Sequence, residues 1–478
     1  MTFHDPTPED DDPRAGDGTP PRRSGQLPVP LPRSLADRLP TGSAHRTARL
    51  LALPAGYLGR SALRTGKRLV GRPTAGLTEQ IQRRTAEQLF ATLGELKGGA
   101  MKFGQLLSVF EAALPPELVA PYRAALTRLQ DAAPALPAVV VRRVLAAELG
   151  ADWRSSFREF DEQPAAAASI GQVHRAVWRD GRPVAVKIQY PGAREALLGD
   201  YARLSRLIRL LSVFSPALEL GPMLAELRDR ITEELDYRRE AASQRAFAEA
   251  YRDDPDIHVP DVVTGTAKVL VTDWLPGTPL ARLITDGTQD ERNAAGLRYI
   301  RFLLSGPARA RRLHADPHPG NFRVLTDGRL GVLDFGAVKD MPDGFPRLLG
   351  TLQRHAHAGD DAAAVRLLRA EGFLTGEDPA DLAAVSAFLA PLAVPSATPT
   401  YRFTRAWLRE QFEQTAAPDT RRLLRRLNLP PAYVLVNRVV SAGSAVLCQL
   451  ECEVPYRAEA ARWLPGFVPP NALPAGRT

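Results

Sequence analysis

The sequence predicts an α+β fold with two lobes, a small β-sheet lobe followed by a mainly helical lobe. Residues 165–190 alternate in polarity as a hairpin does, and long stretches with helical periodicity follow them. The helical part carries an Asp, an Asn and a second Asp in loop-like sequence at 313–336. A chain of 478 residues is also long for one compact core, which favours two lobes or large insertions.

The N-terminal third predicts three kinds of segment. Residues 1–44 are rich in Pro, Gly, Asp and Arg, so we expect a disordered tail. Residues 45–72 carry seven Lys or Arg, no Asp or Glu, and interleaved leucines. Such a segment is typical either of an amphipathic element on an anionic membrane surface or of a helix pair packed on the body. Helical patterns follow from about 75 to 130 and at 137–149.

The β-sheet lobe is predicted from one hairpin and one connecting strand. Residues 165–190 predict two strands joined by a turn at Asp180 and Gly181. We expect one buried face, made by Val173, Arg175 and Val177 on the first strand and by Val184, Val186 and Ile188 on the second. A long helical region at 193–250 and a strand at 269–277 complete this part.

The C-terminal half predicts helices. A helical pattern at 290–313 leads into the Asp-bearing loop, and the apolar segment 431–450 predicts a buried helix, since Asn437 and Arg438 interrupt it. Cys448 and Cys452 are the only cysteines, which argues against a disulfide framework and for a reducing compartment. We expect both on a shared core face.

Composition and these patterns predict the domain organisation and the location. No signal peptide is expected, because the N-terminus is acidic and proline-rich, and no apolar run reaches the roughly 18 residues of a membrane span. The predicted segments are a tail at 1–44, a basic segment with a helical extension at 45–135, a sheet lobe with inserted helices at 136–275, a helical lobe at 276–460 and a tail at 461–478.

Lys187 ends the run V-A-V-K in a strand otherwise built from buried residues. An unpaired buried ammonium costs several kcal/mol, so Lys187 needs a carboxylate or a phosphate as partner. Glu234, in the helical run E-E-L-D-Y-R-R-E, is the candidate carboxylate. A strand lysine paired with a glutamate of the crossing helix is how kinases position the α- and β-phosphates of ATP.

Asp316, Asn321 and Asp334 are the second group of candidate site residues. Asn321 lies five residues after Asp316, as in the kinase loop H-R-D-x-x-x-x-N, and Asp334 begins a D-F-G run thirteen residues later. Hard oxygen ligands from Asn321 and Asp334 predict Mg²⁺, while Asp316 is predicted to act as base or to orient a water. His314 is predicted to brace this loop, and His318 to lie either beside the phosphates or in solvent.

Three departures from the protein kinase pattern carry information. Ala315 stands where the kinase loop has an arginine, so no guanidinium is available to bind a phosphorylated activation loop. No A-P-E segment follows D-F-G, so the platform for a peptide substrate is predicted to be short or missing. Alanines stand where the phosphate-covering loop normally has glycines, which restricts that backbone. The predicted nucleotide contacts are Ala167, Ala168, Ser169, Lys187, Asp273 and Leu275.

Over roughly residues 80–455 the chain resembles the UbiB family of atypical kinases, also called the AarF/ADCK family. The motifs are K-F-G-Q at 102–105, A-A-A-S-I-G-Q-V-H, V-A-V-K-I-Q-Y-P-G, E-L-D-Y-R-R-E-A, H-A-D-P-H-P-G-N-F and L-D-F-G. The resemblance implies a bilobal protein-kinase-like fold with an N-terminal helical extension over the active site. It also implies that Lys102 and Gln105 lie on that extension, held by charge pairing of Lys102 with Glu234, Asp236 and Glu240.

The resulting hypothesis is an ATP- and Mg²⁺-dependent ATPase or small-molecule kinase. The resemblance implies a role in isoprenoid quinone biosynthesis (ubiquinone or menaquinone) or in membrane lipid homeostasis, with the lipids and enzymes of that pathway as partners and no nucleic acid. The expected location is cytoplasmic, peripheral on the inner face of the cell membrane. Two alternatives stay open: an aminoglycoside- or choline-type phosphotransferase, which the K-F-G-Q helix argues against, and a non-catalytic nucleotide-switch scaffold.

Overall fold

The computed structural model describes residues 135–168, 170–195, 197–199, 202, 235–378, 381–428 and 430–468. Four residues of our sequence predictions lie outside these ranges: Lys102, Gln105, Ser169 and Glu234. The predicted segments 1–44 and 45–135 also lie outside them, apart from residue 135. Among the described residues, no helix combines the length and the apolar character needed to cross a membrane.

The first lobe is a five-stranded antiparallel sheet with one helix against it and a second helix at its edge. In chain order, the helices and strands between residues 138 and 273 are α1 (Ala138–Leu149), β1 (Phe157–Ala168), β2 (Gly171–Trp178), β3 (Pro183–Gln189), α2 (Tyr237–Ala250), β4 (Ile257–His258), β5 (Val262–Gly265) and β6 (Val269–Asp273). The sheet order is β1-β2-β3-β6-β5, while β4 belongs to the second lobe. Apolar residues of β3 and β6 form the core of this lobe with α1. The connecting hairpin turn is the predicted one, with Gly181 at φ +96°.

The buried face of β2 differs from our prediction. We expected Val173, Arg175 and Val177 to face the core, but the buried residues are Gln172, His174 and Ala176. The reason is the pairing with β3, which places Gln172 beside Ile188 and His174 beside Val186 on the core side. Val173 instead pairs with Lys187, on the opposite face of the sheet. The prediction for β3 is confirmed, since Val184, Val186 and Ile188 are fully buried.

The second lobe is mainly helical, and short strands carry its loops. Its elements are β7 (Thr278–Pro279), α3 (Leu280–Asp286), α4 (Gln289–Arg309), β8 (Arg312–His314), β9 (Phe322–Val324), β10 (Leu330–Val332), β11 (Val338–Asp340), α5 (Arg347–His357), α6 (Asp361–Ala370), α7 (Asp381–Ala393), β12 (Tyr401–Arg402), α8 (Arg405–Ala416), α9 (Pro418–Arg426), α10 (Pro431–Leu450), β13 (Glu453–Val454) and α11 (Tyr456–Trp463). Strands β4, β10, β9 and β7 form a four-stranded sheet, and β8 pairs with β11.

Helix α4 is the central helix of this lobe and begins at a complete capping box. The Thr288 side chain accepts from the backbone N–H of Glu291, and the Glu291 side chain accepts from that of Thr288. Its buried residues, among them Tyr299 and Phe302, pack against α10 and the loop strands. Helix α10 has the bounds predicted for the buried helix. Both cysteines are free and fully buried in this core, as predicted, although Cys452 lies just beyond the end of the helix.

The fold class is therefore confirmed as α+β and bilobal, with a small sheet lobe followed by a helical lobe. In the five-stranded sheet, the sequence predictions missed β1 and β5. Strand β1 begins at Phe157, eight residues before the predicted hairpin, and its pairing with β2 shifts register at three places. Such irregular pairing hides the period-two alternation from which strands are predicted. The domain boundaries given above stay predictions.

Gly171 begins β2, where it lies directly against β3. A Cβ added at Gly171 would come 2.2 Å from the carbonyl oxygen of Ile188, a contact with backbone that cannot rotate away. We expect Gly171→Ala to lower the free energy of unfolding by about 1–3 kcal/mol, the usual cost of overpacking. Denaturant unfolding measures this, with Gly199→Ala as control, since a Cβ there meets no described atom within 4 Å. Equal stability of the two variants would contradict the close packing of the hairpin on β3.

Candidate active site

A cluster of three charged side chains joins the two lobes. Lys187 Nζ of β3 lies 2.8 and 2.9 Å from the two carboxylate oxygens of Glu240 on α2, and 3.3 Å from Asp334 Oδ2 of the second lobe. Glu240 is buried and Lys187 nearly so. The backbone N–H of Phe335 also donates to Glu240. One ammonium thus ties together the sheet, the helix beside it and the D-F-G segment.

The charge states follow from burial and proximity. Burial opposes the charge on Lys187, but the carboxylates of Asp334 and Glu240 outweigh it and raise the pKa of the Lys187 ammonium. Burial likewise raises the pKa of the Glu240 carboxyl, and the Lys187 ammonium counteracts that effect only in part. Removing the lysine would therefore leave Glu240 as a buried carboxylate that favours its protonated form.

The partner of Lys187 is a correction to our prediction. We assigned this role to Glu234, which lies outside the described residues, and Glu240 fills it. The phase of α2 explains the difference, because Asp236 is the N-cap and accepts from the backbone N–H of Arg238, which turns Glu240 of the first turn toward β3. Both oxygens of Glu240 therefore face Lys187. The pairing of Lys102 with Asp236, whose side chain is 30% exposed, stays a prediction.

Tyr237 also belongs to this cluster, and sequence reasoning missed it. The Lys187 ammonium lies 5.1 Å from the centroid of the Tyr237 ring, within the range of a cation–π contact. Burial raises the pKa of the Tyr237 hydroxyl, which therefore stays protonated. The available signal was helical spacing, since Tyr237 and Glu240 are three residues apart and share a face of α2.

His314 fixes the backbone at Asp334, as predicted. Its Nε2 lies 2.6 Å from the carbonyl oxygen of Asp334, and a carbonyl only accepts, so Nε2 carries the proton. Burial lowers the pKa of the His314 imidazole, which keeps the ring neutral. Four aromatic rings surround it: Phe247, Phe302, Phe322 and Phe335. The residue braces the D-F-G segment from the core side and takes no part in the open cleft.

The loop from Asp316 to Asn321 is held by its own hydrogen bonds. Asn321 Nδ2 donates to the carbonyl oxygen of Asp316, and the Tyr299 hydroxyl donates to that of Pro317 at 2.6 Å. His318 caps the short 3-10 turn, because its Nδ1 accepts from the backbone N–H of Gly320 at 3.1 Å. That contact gives His318 a local structural role.

Asn321 and Asp334 come together through strand pairing. Strand β9 begins directly after Asn321, and β10 ends two residues before Asp334. Phe322 pairs with Val332, and the N–H of Leu333 donates to the carbonyl oxygen of Asn321, so the chain leads both side chains to the same end of the strand pair. Strand β10 thereby brings the two predicted metal ligands to one edge of the cleft.

The donor set suits a hard divalent cation. The amide nitrogen of Asn321 is committed to the backbone of Asp316, which leaves its amide oxygen as the atom for a cation. Asp334 adds carboxylate oxygens. Within the described residues, no group of three or more His, Cys, Asp or Glu side chains could hold a metal by itself. These residues therefore fit a Mg²⁺ ion that takes its remaining ligands from nucleotide phosphates and water.

Of the predicted nucleotide contacts, the described ones besides Lys187 lie at the end of β1, at the end of β6 and just after β6. Ala167 and Ala168 end β1, where they pair with Gln172 and Gly171, so the alanine-rich segment is a hairpin tip rather than an open loop. Asp273 ends β6 and pairs with Val184 of β3. Leu275 is buried, and a Cβ at Gly331 of β10 would come 3.0 Å from its Cδ1. The strand that leads to Asp334 therefore packs against the segment that connects the lobes.

The segment after D-F-G is short, as predicted. Strand β11 follows at once and pairs with β8, and only residues 341–346 separate β11 from helix α5. The backbone N–H of Ala315 donates to the carbonyl oxygen of Ala337, which joins this segment to the start of the Asp316–Asn321 loop. The chain therefore passes from D-F-G to α5 through residues 337–346 alone.

The fold and the site define a protein-kinase-like molecule with an alanine-rich β1–β2 hairpin and a short connection between the D-F-G run and α5. The family model described as the ABC1 atypical kinase-like domain matches residues 128–368, about half of the chain. The chain belongs to this family of atypical kinases, also known as the UbiB/AarF/ADCK family.

Three similar proteins illustrate the relationship. The mitochondrial atypical kinase coq-8 of Caenorhabditis elegans is 31% identical over 378 residues, which is 72% of this chain and 49% of the worm protein. The mitochondrial atypical kinase COQ8 of Saccharomyces cerevisiae is 35% identical over 288 residues, 59% of this chain and 56% of the yeast protein. A solved structure of Rv3197 from Mycobacterium tuberculosis, in complex with erythromycin, is 42% identical. The structural alignment covers 83% of this chain and 100% of the Rv3197 chain, with a TM-score of 0.65.

The chain thus spans about half the length of the curated relatives it matches. Family membership supports a kinase-like activity and the binding of ATP with a metal ion.

The Lys187–Glu240 pair predicts an asymmetric response to mutation. Lys187→Met leaves the buried Glu240 carboxylate beside Asp334 without its cation, so we expect a loss of about 3–5 kcal/mol in the free energy of unfolding at neutral pH. Adding Glu240→Gln should recover part of that loss, because no uncompensated charge then remains on Glu240 and the amide oxygen can still accept from Phe335.

Denaturant unfolding of the two single variants and the double variant tests this. The deficit of Lys187→Met should shrink between pH 7 and pH 5, since its buried Glu240 has a raised pKa and takes up a proton more readily than in the unfolded chain. Additive effects of the two substitutions, with no pH dependence, would show that the pair is not energetically coupled.

Proposed function

We propose that the chain binds Mg·ATP between its lobes and transfers or hydrolyses the γ-phosphoryl group. The observation that supports this most is the Lys187–Glu240–Asp334 cluster, because it joins a phosphate-binding cation to a metal-binding carboxylate across the cleft. An ion pair built only for stability would not need Asp334, which is one-third exposed to the cleft.

Each residue then has a role set by its chemistry. Lys187 contacts the phosphates and Glu240 holds its ammonium in place. Asn321 and Asp334 hold the metal, and Asp316 receives the proton of the attacking hydroxyl or orients a water. When bound, Mg²⁺ neutralises charge on the phosphate oxygens and orients them.

The reaction proposed is ATP hydrolysis or phosphorylation of a small molecule. The short connection from β11 to α5 supports this choice over protein phosphorylation, since it offers no surface for an extended peptide. The proposed pathway is isoprenoid quinone biosynthesis or membrane lipid homeostasis, which follows from the family and from the coq-8 and COQ8 relatives. We also propose that the chain works at the inner face of the cell membrane, where the basic segment 45–72 would meet anionic lipid.

A second candidate function is the binding of a macrolide. The Mycobacterium tuberculosis relative was solved in complex with erythromycin, and this chain aligns with all of it at 42% identity. Calorimetric titration of erythromycin into the purified chain, with and without Mg·ADP, tests this candidate. Saturable binding supports it, and no heat of binding at any concentration up to the solubility limit removes it.

Asp334→Asn is the most direct test of the proposed enzyme. Loss of a charged metal ligand should abolish Mg²⁺-dependent nucleotide binding, whereas Asp316→Asn should keep the binding and lose phosphate release. The matched control is Asp340→Asn on β11, because Asp340 is 79% exposed and its ion-pair partner among the described residues is Arg312.

Two measurements distinguish the alternatives: nucleotide affinity and phosphate release from Mg·ATP, each with and without anionic-lipid vesicles. Turnover that rises with vesicles and disappears in both active-site variants supports a membrane-coupled ATPase. Nucleotide binding without turnover under every condition favours the nucleotide-switch scaffold. Unchanged Mg·ATP affinity in Asp334→Asn would contradict the metal assignment.

A further inference from the structure

Two polar side chains are buried in the apolar core beneath the alanine-rich hairpin, and the proposed chemistry does not use them. Gln172 and His174 are 1% and 0% exposed on the core face of β2. Their neighbours across the sheet, Ile188 and Val186, are apolar. Burying an amide and an imidazole in such a layer is costly unless every polar atom finds a partner.

A chain of hydrogen bonds satisfies both side chains and fixes their orientation. The backbone N–H of Leu136 donates to Gln172 Oε1 at 2.8 Å, which identifies the oxygen of that amide. The amide nitrogen of Gln172 therefore donates to His174 Nε2 at 2.7 Å. His174 must then carry its proton on Nδ1, which donates to the carbonyl oxygen of Asp161 at 2.8 Å. We name this series, from Leu136 through Gln172 and His174 to Asp161, the β2 relay.

The β2 relay supports the hairpin where its strand pairing is weakest. Strand β1 is an edge strand, and its pairing with β2 shifts register on both sides of Pro164. His174 pairs with Pro164 and holds Asp161 in the irregular stretch, while the ring of Phe160 stacks on the imidazole at 5.1 Å. Proline donates no backbone hydrogen bond, so side-chain bonds take the place of missing ladder bonds here.

The other end of the β2 relay lies next to the hairpin tip. Gln172 pairs with Ala167 and directly follows Gly171. Its partner Leu136 belongs to the core of the sheet lobe and lies two residues before α1. The tip is thus fastened to the backbone that leads into α1.

We propose that Gln172 and His174 are positioning residues, which hold the alanine-rich hairpin at a fixed height over the nucleotide and so set nucleotide affinity without contacting the nucleotide. The inference rests on the proposed function, because it requires that nucleotide binds beneath this hairpin. The side chains of Gln172 and His174 lie on the core face of the sheet, opposite the face on which Val173 pairs with Lys187.

The β2 relay also predicts a pH response that a simple packing role would not give. A proton on His174 Nε2 would face the N–H of Gln172, and the bond between them would be lost. Burial lowers the pKa of His174, against the opposing carbonyl of Asp161 and the charges of Asp161 and Glu162, and Arg142 of α1 pairs with Glu162. The neutral ring is therefore the folded form, and the β2 relay breaks as pH falls below the ordinary histidine range, about 6.5.

Three substitutions at His174 distinguish the effects of its two hydrogen bonds, one with Gln172 and one with Asp161. His174→Leu removes both, His174→Asn can keep the donor toward Asp161, and His174→Gln can keep the acceptor toward Gln172 without a group that titrates. Gln172→Met removes the centre of the β2 relay. The matched control is Gln353→Met, since Gln353 is equally buried in the second lobe and bonds to the carbonyl oxygen of Leu392.

The measurement is the calorimetric affinity of the full chain for Mg·ADP at pH 7.5 and pH 5.5, with thermal unfolding of each variant. We expect Gln172→Met and His174→Leu to weaken Mg·ADP binding about tenfold, which corresponds to about 1.4 kcal/mol. Gln353→Met should lower the unfolding temperature and leave the affinity unchanged. His174→Gln should recover part of the affinity at pH 7.5 and lose less of it at pH 5.5 than the wild type does.

The outcomes separate this inference from the proposed function. If the wild type binds Mg·ADP and all folded β2-relay variants bind it equally well, the positioning role is wrong and the proposed function stands. The loss of Mg·ADP affinity can be compared with the decrease in unfolding temperature for each variant. If the ratio of the two is the same for Gln353→Met as for the β2-relay variants, the β2 relay is only a stabilising network. If the wild type itself does not bind Mg·ADP, the proposed function fails and the inference fails with it. Should His174→Leu not fold, His174→Asn and His174→Gln carry the same comparison.

Discussion

The buried ammonium of Lys187 is the constraint on which the site depends. A lysine in the middle of a central strand, with apolar neighbours on both sides, requires compensating charge, because an unpaired buried ion costs several kcal/mol. Glu240 and Asp334 supply that charge from two different elements. The position of α2 relative to β3, and of the D-F-G segment relative to the sheet lobe, therefore follows from one electrostatic requirement. The same requirement leaves Lys187 at the cleft, where a phosphate can share its ammonium.

The helical lobe holds Asp334, its contribution to this cluster, in a fixed position. His314 holds the carbonyl of Asp334, and the aromatic rings around it fill the core between α2, α4 and the loop strands. The backbone carbonyl of Asp334 is held by His314, its Oδ1 accepts from the backbone N–H of Gly336 and its Oδ2 accepts from Lys187, so the carboxylate has a fixed orientation at the cleft. Asn321 reaches the same place through the β9–β10 pairing. Preorganised oxygen ligands of this kind are what a phosphate-bound magnesium ion requires.

The sequence predicted the parts of the site that local chemistry determines. The strand with Lys187, the Asp180–Gly181 turn, the loop from Asp316 to Asn321 and the buried α10 all follow from spacing, turn residues and periodicity. The partner of Lys187 did not, because E-E-L-D-Y-R-R-E offers several carboxylates and only the N-cap at Asp236 sets which one faces the strand. Our prediction of which face of β2 is buried was also wrong. Alternation identifies two faces, but polar Gln172 and His174 can take the inner one only because Leu136 and Asp161, distant in sequence, satisfy them.

The central claim is that Asn321 and Asp334 form a metal site that is completed by nucleotide phosphate. Electron paramagnetic resonance of Mn²⁺, used in place of Mg²⁺, measures this directly in the full chain. The account predicts about one Mn²⁺ bound per chain when ADP is present, coupled to the phosphorus nuclei of the nucleotide, and much weaker binding without ADP. Mn²⁺ binding that is independent of ADP, or that shows no phosphorus coupling, would contradict it.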